Sequence, residues 1–163
     1  LKDTPLRVVN SWKEIFAGYQ EKPADVLSST FNAEDYDGIV LLRDIEFHST
    51  CEHHLQPFSG RAHIAYIPQI NQQIIGLSKL NRIVEHYARR GAIQENLTVR
   101  IHDAINKIVE NNKGVAVMIE ASHNCVQCRG VGHQGTSMKT SKLTGEFIKS
   151  NKTRNEFYEF IKS

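Results

Sequence analysis

The 163-residue sequence holds only three cysteines, one tryptophan, two methionines and four prolines. Three thiols cannot all pair within one chain, so a disulfide scaffold is excluded. An odd count points instead to a reducing compartment, and to metal binding or catalysis as the use of the thiols. A chain of this length buries roughly 70% of the surface its unfolded form exposes, and has no need of staples. No apolar run approaches the ~20 residues of a membrane-spanning helix. No basic-then-apolar leader opens the sequence, so a cytoplasmic location is the expectation. Repeats and low-complexity segments are also missing. A composition of 40% hydrophobic and 23% charged residues is that of a globular protein.

The excess of positive charge is small, at +2, but it is unevenly spread. Residues 1–60 carry 5 basic and 10 acidic side chains, residues 61–138 carry 9 and 5, and residues 139–163 carry 6 and 3. The basic second half suits an anionic partner. It lacks a basic run of the kind that tracks phosphates, which argues against nucleic acid.

The pattern predicts a helix from Thr4 to about Ala17, with Pro5 in its first turn and Gly18 at its end. Residues 21–37 are polar and read as a connector. Ile39–Phe47 and Arg61–Pro68 read as strands, and Gln73–Gly76 as a short third one. Leu77, Leu80, Ile83, Val84, Tyr87 and Ala88 then recur at helical spacing, ending at Arg89-Arg90-Gly91. Leu97, Ile101, Ala104, Ile105 and Ile108 predict a second amphipathic helix. Val115–Glu120 reads as a strand continuing to about Gln127, followed by a Gly-rich loop. Lys142–Ile148 reads as a last short strand and Thr153–Ile161 as a closing helix. Strands paired without intervening helices imply an α+β architecture, an antiparallel sheet with helices on one face. One domain is expected over residues 1–163, a helix and connector over 1–37 and a core over 38–163.

Chemistry concentrates in three places. Cys51-Glu52-His53-His54 follows the first strand, and a turn can aim Cys51 and His54 at one point. Thiolate and imidazole are good zinc ligands, but two are too few. On a strand through residues 115–125, His123 and Cys125 share a face with Val115, Val117, Ile119 and Ala121. Cys51, His54 and Cys125 then form a three-ligand set whose fourth position is open for water, the pattern of a catalytic zinc. The competing arrangement is a closed structural site with Cys128 as fourth ligand. It leaves His53 and His123 beside the metal without a task.

Second, Ser78, Lys79 and Arg82 lie off the apolar stripe of their helix and crowd its N-terminus. Two cations there oppose the helix dipole unless an anion sits between them, so the group reads as a phosphate site. Arg129, four residues after Cys125, can bring another guanidinium. Third, Gln94-Glu95 opens the next helix. Glu95 there is an ordinary first-turn acid. It is also a carboxylate able to take two parallel N–H bonds from guanine. His48, His63, His86, His102 and His133 read as surface or locally satisfied residues.

Together these segments resemble GTP cyclohydrolase I, the zinc-dependent family. The resemblance runs through TPLR (4–7), RDIEFHSTCEHH (43–54), AYIP (65–68), IGLSKLNRIV (75–84), QENLT (94–98), HNCVQCRG (123–130) and TRNEF (153–157). CEHH, GLSKLNR and H-x-C-x-x-x-R in this order are specific together and weak singly. The resemblance implies the tunnelling fold, with subunits joined edge to edge into a barrel, and two rings stacked into a toroid, usually a decamer. It implies active sites between subunits and conversion of GTP and water to 7,8-dihydroneopterin triphosphate and formate. By similarity Cys51, His54 and Cys125 bind Zn2+, and His53 and His123 are the acid/base pair. Gln94 and Glu95 hold guanine. Ser78, Lys79, Arg82 and Arg129 hold ribose and triphosphate, with Arg7 reaching in from a neighbour.

Four features depart from the family pattern. Cys128 is not a usual ligand. Asn10 stands where many members have Lys. The loop over 130–141 is unlike the commonest versions. Feedback regulation through an N-terminal extension is not expected. Within the tunnelling fold, a 7-deazaguanine nitrile reductase is the alternative enzyme, but it uses a cysteine nucleophile without catalytic zinc. A non-enzymatic zinc-stabilised nucleotide-binding module is the alternative outside catalysis.

Overall fold

The structure is a computed structural model and describes residues 1–20, 30–32 and 34–163. Helix α1 (Thr4–Ile15) has Pro5 in its first turn, where a missing N–H costs nothing. A 3-10 turn at Ala17–Tyr19 follows. Most of the expected connector lies outside the described residues. Its described part holds a strand that the polar composition hid, β1 (Thr30–Asn32), which pairs with β4 (Gln73–Ile75) as a separate two-stranded sheet.

The main sheet has the order β5-β2-β3-β6-β7. Its long members are β2 (Val40–Cys51), β3 (Pro57–Ile67) and β6 (Gly114–His123). All three pair antiparallel, as does β7 (Met138–Leu143) on β6. Two-residue β5 (Gly91–Ala92) runs parallel to the end of β2. The first strand runs past its expected end at Phe47 to Cys51, because a bulge re-phases it. The register shifts between Leu42 and Ile45, and Asp44 takes φ 57°. Its partner begins at Pro57 rather than Arg61, since the ladder continues opposite that extension.

Helices α2 (Leu77–Ala88) and α3 (Gln94–Ile108) cover one sheet face. Leu80, Ile83 and Val84 of α2 and Leu97, Ile101 and Ile105 of α3 are buried against Phe47, Phe58, Ile64, Val117 and Ile119. Each such side chain stabilises the fold by ~1.5–3 kcal/mol relative to exposure. A one-turn helix α4 (Asn124–Gln127) ends β6.

The C-terminus departs from the expected strand and from the one-faced layer. Residues 142–148 do not form one strand: β7 ends at Leu143 and Gly145, at φ 60°, turns the chain into α5 (Glu146–Lys149). The closing helix α6 (Asn151–Lys162) is capped by Ser150, which accepts from Thr153 N at 3.2 Å. Phe147 and Phe157 pack on Ala65, Ile67 and Ala116, which alternate with the residues beneath α2 and α3. The opposite face is therefore covered at one end. Apolar residues at both parities of β3 and β6 require that second layer.

Candidate functional site

Four elements converge at one end of the sheet. Cys51 is the last residue of β2 and is buried at 5% exposure. The chain turns immediately after it, with Leu55 N donating to Cys51 O at 2.9 Å. This turn carries Glu52, His53 and His54. Beside it, β6 ends at His123 and α4 carries Cys125. The strand expected to reach Cys125 stops two residues short, so shared strand parity is not what joins His123 to Cys125. The helical turn brings Cys125 back toward β2 instead.

The ligand atoms of Cys51, His54 and Cys125 lie within 4.8 Å of one another. Tetrahedral zinc with bonds of about 2.0–2.3 Å holds its ligand atoms about 3.5–3.8 Å apart, so a small contraction closes the set. Two sulfurs and an imidazole nitrogen are the donor chemistry zinc selects. Burial first, and then the Cys51 thiol, push the Cys125 thiol up, while Arg129 pulls it down. A cation between the two sulfurs reverses that balance, because it favours both thiolates. The residues present thus fit a zinc ion. Cys128 stands outside this set: it is exposed, and its thiol points at Asn124 O, 2.8 Å away.

Cys51 and Cys125 open into a cavity of about 390 Å³ whose walls also hold His53, Gln94, Glu95 and His123. His53 Nδ1 is 3.9 Å from Cys51 Sγ. The His123 ring is stacked on Phe58, centroids 4.5 Å apart and planes 7° from parallel. Burial pushes the His123 pKa down, and the Glu95 carboxylate partly restores it. Glu95 occupies the first turn of α3, where free backbone N–H groups point outward. A larger cavity of about 520 Å³ lies on the opposite sheet face around Arg61, His63 and Glu120, and holds none of the Cys/His set.

The anion-binding candidates are placed differently. Ser78, Lys79 and Arg82 sit on the first turns of α2, with Ser78 and Arg82 exposed and Lys79 half-buried. Arg129 follows α4 and donates to Cys125 O at 3.4 Å. Arg7 is exposed on α1. None of these five lines the 390 Å³ cavity. Asn10 accepts from Lys13 Nζ at 3.2 Å. Of the remaining histidines, His63 and His102 are buried and locally bonded, and His86 lies 2.7 Å from Arg90 Nη2.

Sequence reasoning missed what Gln94 does. It is fully buried, and its side chain faces protein at both ends. It also missed Phe58 and Thr140, which no motif marks. Only the pairing of Phe58 with His123 across β3 and β6 reveals the first. Among the described residues no helix is long and apolar enough to cross a membrane.

Comparison with known proteins places the chain in a family. The profile of the family described as GTP cyclohydrolase I matches residues 1–162. GTP cyclohydrolase 1 of Alkalilimnicola ehrlichii is 48% identical over 163 residues, 100% of this chain and 86% of that protein. GTP cyclohydrolase 1 of Campylobacter lari is 47% identical over 163 residues, 100% of this chain and 84% of that one. Among solved structures, the archaeosine synthase QueF-Like in the apo form aligns with a TM-score of 0.54 at 18% identity, over 66% of this chain and 94% of its own. That likeness shows the tunnelling-type α+β fold and nothing of the chemistry. A full-length profile match and relatives near one-half identity, over a site with the Cys/His set in place, show that the chain belongs to the GTP cyclohydrolase I family of hydrolases.

Proposed function

We propose that the protein binds one zinc ion through Cys51, His54 and Cys125 and converts GTP to 7,8-dihydroneopterin triphosphate and formate. The observation that carries this reading is the opening of the Cys/His set into a cavity walled by His123 and Glu95. When bound, the zinc supplies a Lewis acid and brings the pKa of water toward neutrality.

The side chains do the rest. The Glu95 carboxylate accepts N1–H and the exocyclic amine of guanine, while a free N–H of the α3 first turn donates to O6. This holds carbon 8 toward the Cys/His set. His123 takes a proton from the water whose oxygen bonds to carbon 8 and passes it to the ring nitrogen beside that carbon. The ring opens to a formamide, and a second water releases formate. His53, which also lines the cavity, serves the later proton transfers of ribose opening and rearrangement. The freed amine then closes onto the rearranged carbon chain with loss of water. Two waters enter and one leaves, so one is consumed overall.

Ser78, Lys79, Arg82 and Arg129 hold the triphosphate, which is not cleaved. Its binding energy positions the base at a distance. These residues do not line the cavity of their own chain, and Arg7 sits on a helix that buries none of its residues. Leu6, Val9 and Trp12 stay exposed on that helix, an apolar face suited to another subunit. Among the described residues only Thr50 and Cys51 of β2 pair on that edge, with β5, which leaves room there for joining copies. The functional unit in this reading is a homo-oligomer, a decamer by resemblance, with sites completed between subunits. Three free cysteines suit a reducing setting such as the cytoplasm.

The test is formate release from GTP by zinc-loaded protein, with and without chelator, followed by fluorescence of the oxidised product. Chelator-sensitive formate together with a pterin signal is expected. A folded, zinc-replete oligomer that yields neither would refute the proposal.

A further inference from the structure

The Gln94 side chain is fully buried in the first turn of α3. Its Nε2 donates toward Met138 O at 2.9 Å, Thr140 Oγ1 at 3.1 Å and Ile119 O at 3.2 Å. Two of these three neighbours are backbone carbonyls, which only accept. A flipped amide would press its oxygen against both carbonyl oxygens, and only the Thr140 hydroxyl could turn a proton toward it. The orientation of the amide is therefore fixed by chemistry. Thr98 tightens the arrangement: its hydroxyl lies 2.9 Å from Gln94 O and 2.7 Å from Thr140 Oγ1.

With Nε2 held there, Oε1 faces His123 Nε2 at 2.7 Å. An amide oxygen carries no proton, so the imidazole must donate from Nε2. In the neutral ring the lone pair then resides on Nδ1. The ring cannot tilt away without leaving its stack on Phe58, and a half-turn in the plane of the stack would set a ring carbon against Oε1 in place of the Nε2 donor. A buried amide without a partner for its oxygen would also cost ~1–3 kcal/mol, which opposes the alternative tautomer.

We infer that Gln94 is a positioning residue, which locks His123 as the Nε2–H tautomer and leaves Nδ1 as the nitrogen facing the chemistry. The role implied by resemblance, a side-chain contact to guanine, needs amide groups that are already engaged inside the protein. Guanine recognition then falls to Glu95 and the α3 backbone. The catalytic part of this inference rests on the proposed GTP reaction. The tautomer itself does not.

The experiment uses zinc-loaded full-length protein labelled with 15N-histidine, read by long-range 1H–15N correlation at a pH where the ring is neutral. Loss of one ring pattern in His123→Gln assigns the signal. The wild-type protein is expected to show the Nε2–H pattern. A wild-type ring that is Nδ1–H, or averaged between tautomers, overturns the inference whatever any variant does. Gln94→Met keeps the length and removes both polar ends. It is expected to show mixed tautomers, with kcat down about 10- to 100-fold and KM for GTP within about 3-fold. A KM raised tenfold or more with kcat unchanged assigns Gln94 to substrate binding and overturns the inference. Thr140→Val removes one acceptor but leaves both carbonyls, and is expected to keep the wild-type tautomer. A wild-type protein with the expected tautomer but no GTP turnover would sink the proposed reaction and not the tautomer.

Discussion

His123 lies flat on Phe58, the two residues facing each other directly across β3 and β6. Phe58 is 1% exposed, and its other side meets Phe47 edge-on at 5.9 Å. The stack therefore ties the orientation of a candidate acid to the packing of the core. Phe58→Leu keeps an apolar filler but removes the flat surface. It should cost about 1–3 kcal/mol of stability in denaturant unfolding. Steady-state kinetics should show kcat falling while KM for GTP stays within a few-fold, because the guanine contacts proposed for Glu95 are untouched. An unchanged kcat in a variant of unaltered zinc content would show that the stack does not orient the ring.

The metal set makes a sharper division among the three cysteines. Cys51→Ser and Cys125→Ser each remove one of the three proposed ligands, and zinc content after dialysis against a weak chelator should fall well below one per chain. Cys128→Ser should leave it near one per chain, since that thiol points at Asn124 O and not into the set. Loss of zinc from Cys128→Ser would favour the closed, structural arrangement and count against the open site. Formate release should track zinc content across the three variants.

How far the sequence alone reached follows from the range of the forces involved. Cys51 and His54 were legible because both lie within one turn, where spacing decides geometry. Cys125 was reached by a wrong route. Strand parity suggested it, yet β6 stops at His123 and a helical turn delivers the thiol. The amphipathic stripe of α2 was legible because it is periodic, and residues 142–148 were misread because Gly145 adopts positive φ only in context. Gln94 was seen as a helix-start amide but not as buried. Its partners Met138 and Thr140 lie on β7, more than forty residues away. Contacts of that kind are set by register between distant strands, which no local pattern encodes.

Gly60 is a case where register becomes testable. It sits in β3 opposite Ala121, two residues along from Phe58. A Cβ built there would meet Glu120 O at 1.9 Å and Ala121 Cα at 2.6 Å, both on rigid backbone. Gly60→Ala must therefore part β3 from β6 just where the site begins. The expected loss is at least about 3 kcal/mol, or failure to fold. Gly135→Ala is the control, because nothing lies within 4 Å of a Cβ at that position. Its unfolding midpoint should match the parent, and two equal midpoints would contradict the close approach at Gly60.

Acid should weaken the fold through two buried histidines away from the metal set. Burial pushes His63 and His102 below the ordinary value of 6.5, against the pull of Asp44 and Glu120 on the first and Asp103 on the second. The unfolded chain then binds more protons than the folded one at these sites. The stabilisation is fully present above 6.5 and is lost as pH falls below it toward the folded values. Unfolding free energy from urea titrations should decline from pH 7 to pH 5. His102→Gln, which keeps a neutral group near Thr144 Oγ1, should flatten that decline. A parallel curve would remove His102 as a source.

Glu95 carries the last prediction, which concerns selectivity. Its carboxylate lines the cavity from the first turn of α3, and it is the acidic side chain among the residues that do so. Guanine offers two N–H groups on one edge and hypoxanthine only one. A carboxylate accepts both at once, whereas a neutral amide must turn one of its own donors toward them. Each bond to a charged acceptor contributes about 1.5–3 kcal/mol, so Glu95→Gln should lower kcat/KM for GTP by on the order of 100-fold. The wild-type enzyme should favour GTP over ITP by a similar ratio, because the missing amine strands one carboxylate oxygen. In Glu95→Gln that preference should shrink to a few-fold, since GTP is harmed far more than ITP. Equal losses on both nucleotides would mean that Glu95 acts on His123 electrostatically and does not read the base.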